Sequence, residues 1–281
     1  MTEVYDTRAC ELGEGPFWHP ERQQLFWFDI LGHRLLTRTE EGPQGWDVGE
    51  HASAAGWIDR DRLIVATESG LYRFDLETGT RDLLAPLEAD QPATRSNDGR
   101  ADPMGGFWIG TMGKAAEPRA GAIYRYYEGR IERLFDGITI PNAICFAPDG
   151  RRAYYTDTPR RRIWTVPLDA EGWPDGPSEV FVDLREAGVN PDGAEVDAEG
   201  ALWNAQWGAG RVVRYLPDGR QDRVIDLPAS LTTCPCFGGP GLDRMYVTSA
   251  WEGLATRGEA DGCTFVTDPG CRGRAAPQVR T

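Results

Sequence analysis

The segment Asp102-Pro-Met-Gly-Gly-Phe-Trp-Ile-Gly-Thr-Met112 joins a glycine-containing turn to a short aromatic and β-branched run. This combination is typical of a β-strand that follows a tight turn. Similar runs recur along the chain, with their second residues at positions 26, 64, 108, 154, 203 and 246. The six runs are Leu25–Asp29, Leu63–Thr67, Phe107–Thr111, Ala153–Asp157, Leu202–Gln206 and Met245–Ser249. A repeat of about 45 residues is too short for a domain and fits one four-stranded propeller blade.

The residues between these runs fit the same architecture. Alternating apolar and polar residues follow several of them, as in Leu71–Asp75, Ala122–Tyr126 and Arg211–Tyr215, which is the pattern of half-buried strands. No amphipathic helix of 10 or more residues is indicated, and no linker or low-complexity tract divides the chain. The sequence therefore predicts an all-β protein, a six-bladed β-propeller that forms one domain over residues 1–281. Closing the ring would remove the exposed sheet edges that promote aggregation.

Charge and composition exclude several classes of function. The chain carries 30 basic and 44 acidic residues, a formal net charge of −14, and it has no basic block. Nucleic-acid binding is therefore not expected, because neutralising phosphates supplies most of the non-specific affinity. No apolar run approaches the roughly 18 residues that span a bilayer, and the first residues do not resemble a signal peptide. We expect a cytoplasmic monomer that binds neither membranes nor nucleic acids.

The six cysteines have two interpretations. In a chain of this length without a secretion signal, they are expected to stay reduced and to act as small buried hydrophobic residues. Cys234, Cys236, Cys263 and Cys271 could instead form a four-thiolate zinc site. Their spacing differs from the paired arrangement that structural zinc sites use, which favours the first interpretation.

Four blades carry an oxygen-rich side chain at a shared offset. Counting back 11 or 12 residues from the second residue of the repeated runs gives Glu14, Asn97, Asn142 and Asp192, each with a small residue one or two places further on. At the start of the innermost strands, these side chains would converge on one mouth of the central channel. Carboxylate and amide oxygens suit Ca²⁺, Mg²⁺ or Mn²⁺, whereas Zn²⁺ would lack its preferred ligands. Taken singly, Asp192 and Asn97 are more typical of turns and Glu14 of a loop, so the prediction depends on the shared offset.

A family resemblance selects the same residues. The chain resembles the regucalcin (senescence marker protein)/gluconolactonase family in segments that span residues 12 to 250 in family order. These segments are Leu12–Trp18, Arg95–Gly99, Asp102–Met112, Pro141-Asn142, Tyr155–Asp157, Pro191–Gly193, Phe237–Gly239 and Tyr246–Ala250. The resemblance implies a six-bladed propeller that hydrolyses sugar lactones with the help of a metal ion.

The resemblance also implies individual roles. The metal ligands of the family match Glu14, Asn142 and Asp192, and its substrate-contacting residues match Arg95 and Asn97. A further substrate-contacting glutamate matches Glu117, in Glu117-Pro-Arg-Ala-Gly121. The chain departs from the family pattern at position 143, where an alanine replaces the usual glycine. This change affects the freedom of the local turn more than the chemistry, since Asn142 is kept.

These residues suggest a mechanism and leave alternatives. One divalent ion (Ca²⁺, Mn²⁺, Mg²⁺ or Zn²⁺) would polarise the lactone carbonyl, and Asp192 would bind the metal and deprotonate the attacking water. Arg95 and Asn97 would hold the sugar oxygens. The expected substrate is a small sugar lactone such as glucono-, galactono-, arabino- or xylonolactone. The alternatives are a related propeller that hydrolyses phosphotriesters or other esters, and a non-catalytic propeller that binds calcium or a protein.

Overall fold

The computed structural model describes residues 1–281 and contains six four-stranded antiparallel sheets. The strands are, in chain order, β1 (Glu3–Asp6), β2 (Gly13–His19), β3 (Gln24–Asp29), β4 (Arg34–Thr39), β5 (Gly42–Asp47), β6 (Ala52–Trp57), β7 (Arg62–Thr67), β8 (Gly70–Asp75), β9 (Arg81–Pro86), β10 (Thr94–Ala101), β11 (Phe107–Gly113), β12 (Gly121–Tyr127), β13 (Arg130–Ile138), β14 (Pro141–Phe146), β15 (Arg152–Asp157), β16 (Arg162–Pro167), β17 (Glu179–Asp183), β18 (Asn190–Val196), β19 (Leu202–Trp207), β20 (Arg211–Tyr215), β21 (Gln221–Asp226), β22 (Leu231–Gly238), β23 (Arg244–Ala250) and β24 (Thr264–Thr267).

These strands form a six-bladed propeller, which confirms the fold predicted from the repeat. Every repeated aromatic run lies in the second strand of its blade, in β3, β7, β11, β15, β19 and β23. The alternating runs form the third strands, as predicted for half-buried segments. The only helical element is one 3₁₀ turn, Thr158–Arg160. No helix of the structure has the length and apolar character needed to cross a membrane.

The blades are held together by apolar side chains that fill the space between neighbouring sheets. The first and second blades share a cluster of 15 buried residues that includes Phe26, Phe28 and Phe74. Within it, Phe17 stacks on Phe26 with ring centroids 5.4 Å apart. Because each sheet buries both faces against its neighbours, the second strands read as nearly continuous apolar runs instead of alternating ones.

Both chain ends close the ring. Strand β1 pairs with β24, so the sixth blade combines strands from the two ends of the chain. After β24, the last residues cross the end of the channel from blade to blade. The N–H of Ala198 donates to the carbonyl of Arg272 (2.8 Å), and the N–H of Val279 donates to the carbonyl of Trp57 (2.9 Å). These long-range bonds tie the fifth and second blades together independently of the β-sheets.

Each innermost strand contains one extra residue relative to its partner strand. The register shifts occur between Glu14 and Phe17 in β2, and at equivalent places in β6, β10, β14, β18 and β22. Glu14 and Asn142 are the last paired residues before the register shift of their strands. Asn97 and Asp192 are instead among the unpaired residues of the shift itself. This difference explains why the sequence offset was 12 residues for the first two and 11 for the others.

The residues that follow Glu14 and Asn142 both adopt a left-handed backbone conformation. Gly15 and Ala143 both have φ of 55°. A Cβ atom added at Gly15 would overlap the backbone carbonyl of Ser53 in β6, so only glycine fits there. Ala143 is fully buried and carries its Cβ atom in the same conformation. The blade interface, not the turn alone, therefore decides where glycine is required.

We expect opposite outcomes for substitutions at these two positions. Gly15→Ala should lower the free energy of unfolding by about 2–5 kcal/mol, through the strain of a left-handed alanine and the clash with β6. Ala143→Gly should change the free energy of unfolding by less than about 1 kcal/mol. The backbone strain that glycine relieves stabilises the protein, and this gain offsets the loss of the buried methyl group. Urea denaturation measures both variants. Equal destabilisation of the two would contradict the clash with Ser53.

Candidate metal and substrate site

The structure brings four predicted residues to one mouth of the central channel. Glu14, Asn97, Asn142 and Asp192 lie on the innermost strands β2, β10, β14 and β18. Their exposed fractions are only 6%, 7%, 4% and 4%. All four line a single cavity of about 470 Å³. The register shifts in the innermost strands thus place polar side chains of four different blades around one point.

A chain of hydrogen bonds orients the amides of this site. Arg95 Nη1 donates to Asn97 Oδ1 (2.8 Å), and Asn97 Nδ2 donates to Pro141 O (2.9 Å) and Asn142 Oδ1 (3.1 Å). Asn142 Nδ2 in turn donates to Thr158 Oγ1 (3.0 Å). Asn142 Oδ1 keeps a second lone pair that could face a cation. Asn97 Oδ1 already accepts from a guanidinium, which makes Asn97 a poorer candidate for metal ligation.

The two carboxylates of the floor form no ion pair. Burial raises the pKa of both Glu14 and Asp192. Repulsion by Asp98 raises the pKa of Glu14 further, and repulsion by Glu14 and Asp98 raises that of Asp192. Glu14 Oε2 accepts the backbone N–H of Gly15 (3.0 Å), but neither carboxylate forms an ion pair with a side chain of the protein. Two buried, mutually repelling carboxylates beside an amide oxygen form a donor set that fits a divalent cation.

The donor set at the channel mouth contains only two ionisable side chains, and its third donor is an amide. Nowhere do three or more His, Cys, Asp or Glu side chains form a group that could hold a metal ion. At the channel mouth the third donor is the amide of Asn142. The six cysteines are free thiols and five of them are buried, in agreement with their prediction as small hydrophobic residues. Cys234, Cys236, Cys263 and Cys271 do not form the alternative four-thiolate zinc site.

Arg95 presents its guanidinium to the cavity from a buried position. It is 7% exposed, and both of its hydrogen bonds within the protein come from Nη1, to Ser96 O and Asn97 Oδ1. Burial lowers its pKa, which the carboxylates of Glu252, Glu14, Asp192 and Glu68 oppose. The Nε and Nη2 groups remain free to donate to a bound molecule.

The walls and rim of the cavity supply features that the sequence did not indicate. Leu12, Met112, Ile140 and Trp207 form apolar walls above the polar floor. Polar groups at the base of an otherwise apolar cleft are typical of small-molecule sites. Lys114, the only lysine, also lines the cavity, and its Nζ pairs with Glu68 Oε2 (2.9 Å). Its uniqueness in the composition was the only available signal.

Asp98 was also missed by the sequence reasoning. It is 3% exposed, and its Oδ2 accepts the backbone N–H of Ile144 (2.6 Å), which ties β10 to β14. Burial raises the pKa of this carboxyl to about 6. Because Asn97 and Asn142 lie on these same two strands, Asp98 fixes the distance between the two amides. Its signal was hidden in the turn-like sequence Asn97-Asp98-Gly99.

Glu117 lies outside the cluster. It is exposed on the loop after β11, and its Oε2 accepts the backbone N–H of Ala115 (3.1 Å). The preceding residues 114–116 line the cavity, but Glu117 itself does not. Its role in substrate binding stays a prediction. The two remaining equivalent positions carry hydroxyl groups that bond neighbouring blades, as in Thr233 Oγ1 to Gly13 O (2.5 Å) and Ser53 Oγ to Ser96 Oγ (2.8 Å).

Comparisons with known proteins identify the family of the chain. The model of the family described as SMP-30/Gluconolactonase/LRE-like region matches residues 12–251. The chain is 36% identical to "L-arabinolactonase" of Azospirillum brasilense, an alignment that covers 99% of this chain and 92% of that protein. It is 35% identical to "6-deoxy-6-sulfogluconolactonase" of Pseudomonas putida, which covers 92% and 93% respectively.

A solved structure also matches closely. The structure of a protein from Agrobacterium tumefaciens str. C58, described as a calcium-binding protein, regucalcin, superposes with a TM-score of 0.95. The two sequences are 40% identical, and the match covers 100% of this chain and 98% of the other. A likeness of this extent covers all six blades, including the inner strands that carry the cluster.

A substitution at the floor tests the cation site without an activity assay. Asp192→Asn should raise the melting temperature of the chelated protein by several degrees, because it removes a buried like-charge repulsion of at least about 1 kcal/mol. The same variant should lose most of the stabilisation that an added divalent cation gives the wild type. Differential scanning calorimetry, with and without Ca²⁺, Mn²⁺, Mg²⁺ or Zn²⁺, measures both effects.

Asp218→Asn is a matched control for this experiment. Asp218 occupies an identical Pro-Asp-Gly tripeptide, Pro217–Gly219, but it is exposed and distant from the cavity. We expect it to respond to cations as the wild type does. A wild type that no divalent cation stabilises, or an Asp192→Asn variant that cations stabilise fully, would contradict the assignment.

Proposed function

Because this chain belongs to the SMP-30/gluconolactonase/LRE-like family, we propose that it is a metal-dependent hydrolase of sugar lactones. It would open an aldonolactone such as glucono-, galactono-, arabino- or xylonolactone to the aldonic acid. The observation that carries this proposal is the convergence of Glu14, Asn142 and Asp192 at the floor of one cavity, where no cationic side chain pairs with the carboxylates. The names of the relatives, which include lactonases of two different sugars, support it.

Glu14, Asn142 and Asp192 would hold the cation. When bound, a divalent cation polarises an ester carbonyl and lowers the pKa of a nearby water molecule. Its identity is open among Ca²⁺, Mn²⁺, Mg²⁺ and Zn²⁺, although three oxygen donors favour the first three. The calcium-binding description of the 40% identical structure supports a divalent ion as the cofactor.

Asp192 is our candidate for the general base. No histidine lines the cavity, so the proton acceptor must be a carboxylate. Glu14 Oε2 already accepts the N–H of Gly15. Asp192 would take a proton from water as the water oxygen attacks the lactone carbonyl carbon. That proton would pass to the ring oxygen as the carbon–oxygen bond of the ring breaks, which yields the hydroxy acid.

Arg95 and Asn97 would orient the substrate. The free Nε and Nη2 groups of Arg95 can donate to sugar oxygens, while its Nη1 bond to Asn97 Oδ1 keeps the guanidinium in place. Asn97 is held from both sides by Arg95 and Asn142, so its position is fixed before a substrate arrives. Such preorganisation reduces the entropy lost when the substrate is bound for reaction.

Loss of the general base should abolish most of the turnover. We expect Asp192→Ala to lower kcat by a factor of about 10²–10⁴ or more, because it removes both the proton acceptor and one ligand. A proton-release assay on several aldonolactones, with metals added one at a time after chelation, measures this. Full lactonase activity in Asp192→Ala with the metal still bound would refute the assignment of Asp192 as the base.

A calcium-binding propeller without enzymatic activity is the second candidate. The match to a structure described as a calcium-binding protein, regucalcin, favours it specifically. The same assay separates the two candidates. Turnover of any aldonolactone that depends on added metal supports the lactonase, whereas stabilisation by Ca²⁺ without turnover of any lactone supports the binding protein.

A further inference from the structure

Some charged side chains of the cavity form ion pairs, and others do not. Five charged residues line the cavity, namely Glu14, Arg95, Lys114, Asp192 and Glu252. Lys114 is already neutralised by Glu68, with 2.9 Å between Nζ and Oε2. Glu68 is held in turn by a hydrogen bond with His51 Nδ1. The lysine at the mouth is therefore not a free cation for an incoming anion.

Glu252 has no comparable partner. Its side chain is exposed at the rim, and it forms no ion pair with any side chain of the protein. Of the carboxylates around the buried guanidinium of Arg95, it acts most strongly on that group. Its backbone is fixed, because the N–H groups of Trp251 and Glu252 both donate to Glu11 O (3.1 and 3.0 Å). A rigid backbone thus keeps an unpaired negative charge at the mouth.

The orientation of a bound lactone follows from the floor. The ester carbonyl has to reach Glu14, Asn142 and Asp192, so the opposite end of the sugar faces the rim. A phosphate, sulfonate or carboxylate at that end would meet the unpaired carboxylate of Glu252. Like charges that are held close together at the mouth of a cleft repel each other, and this repulsion disfavours binding of the anion.

We propose that Glu252 is a specificity-determining residue that restricts the site to uncharged lactones. The proposal rests on the proposed lactonase function and concerns the end of the substrate remote from the reaction. With Lys114 neutralised by Glu68, Glu252 also balances the single positive charge of Arg95. Its removal would take away the carboxylate that acts most strongly on Arg95 and would make this guanidinium more attractive to an anionic substrate.

The test compares a neutral and an anionic form of one sugar. The metal-loaded wild type, Glu252→Gln and Glu259→Gln are assayed on glucono-1,5-lactone and on its 6-phosphate. Glu259 lies exposed on the same loop outside the cavity, so its variant removes the same charge without changing the rim. Calorimetric binding of glucitol and glucitol 6-phosphate gives a second readout that requires no turnover.

We expect the wild type and Glu259→Gln to prefer the uncharged compounds. In Glu252→Gln, the ratio of kcat/KM for the phosphate to that for the neutral lactone should rise by about tenfold or more, and the binding ratio should rise in parallel. The increase should shrink as the ionic strength is raised. Because a ratio is measured, a general change in activity does not imitate the effect.

Three results would overturn the proposal. These are equal ratios in all three proteins, the same shift in Glu259→Gln, and a wild type that prefers the phosphate. If the wild type opens no lactone at all, the proposed function fails, and the calorimetric ratio alone then decides the role of Glu252.

Discussion

Two like-charged carboxylates, Glu14 and Asp192, share a buried floor and form no ion pair, although the charge of Arg95 lowers the pKa of both. Burying an ion away from water costs several kcal/mol of free energy unless an opposite charge offsets this cost. A site of this kind persists only on a scaffold that is stable enough to hold it. The closed ring provides that stability, through the apolar clusters between blades, the pairing of β1 with β24 and the C-terminal residues that bridge distant blades.

The same scaffold determines the geometry of the site. Each innermost strand carries one extra residue, and this irregularity turns a polar side chain toward the channel where a regular strand would pair it with its neighbour. Four of these positions hold Glu14, Asn97, Asn142 and Asp192, while the other two hold Ser53 and Thr233, whose hydroxyl groups bond adjacent blades. The extra residue of the innermost strands therefore has two roles, because in four blades it helps to form the site and in two blades it helps to hold neighbouring blades together.

The fold and the residues of the floor could be predicted because the relevant signals are local and repeated. The aromatic runs around Trp108 and Tyr154 mark second strands, and a constant offset leads from each run to the inner strand. The rim could not be predicted in this way. The Lys114–Glu68 pair joins residues 46 positions apart in chain order, and Glu252 approaches Arg95 from the sixth blade. Contacts of this kind have no period that a single sequence displays.

A closed ring was expected, but the strand pairing that closes it could not be predicted, because β1 is a short strand of four residues at the opposite end of the chain from β24. The extra residue in each inner strand was visible only indirectly, as an offset that varied between 11 and 12. The need for glycine at position 15 could be recognised only with knowledge of the neighbouring blade, since the carbonyl of Ser53 is what excludes a side chain there.

The most direct test of the central claim is calorimetric titration of divalent cations into the chelated protein and into a Glu14→Gln variant. The account predicts one ion per wild-type chain and a large loss of affinity in the variant, whereas no binding to the wild type, or unchanged affinity in the variant, would contradict it.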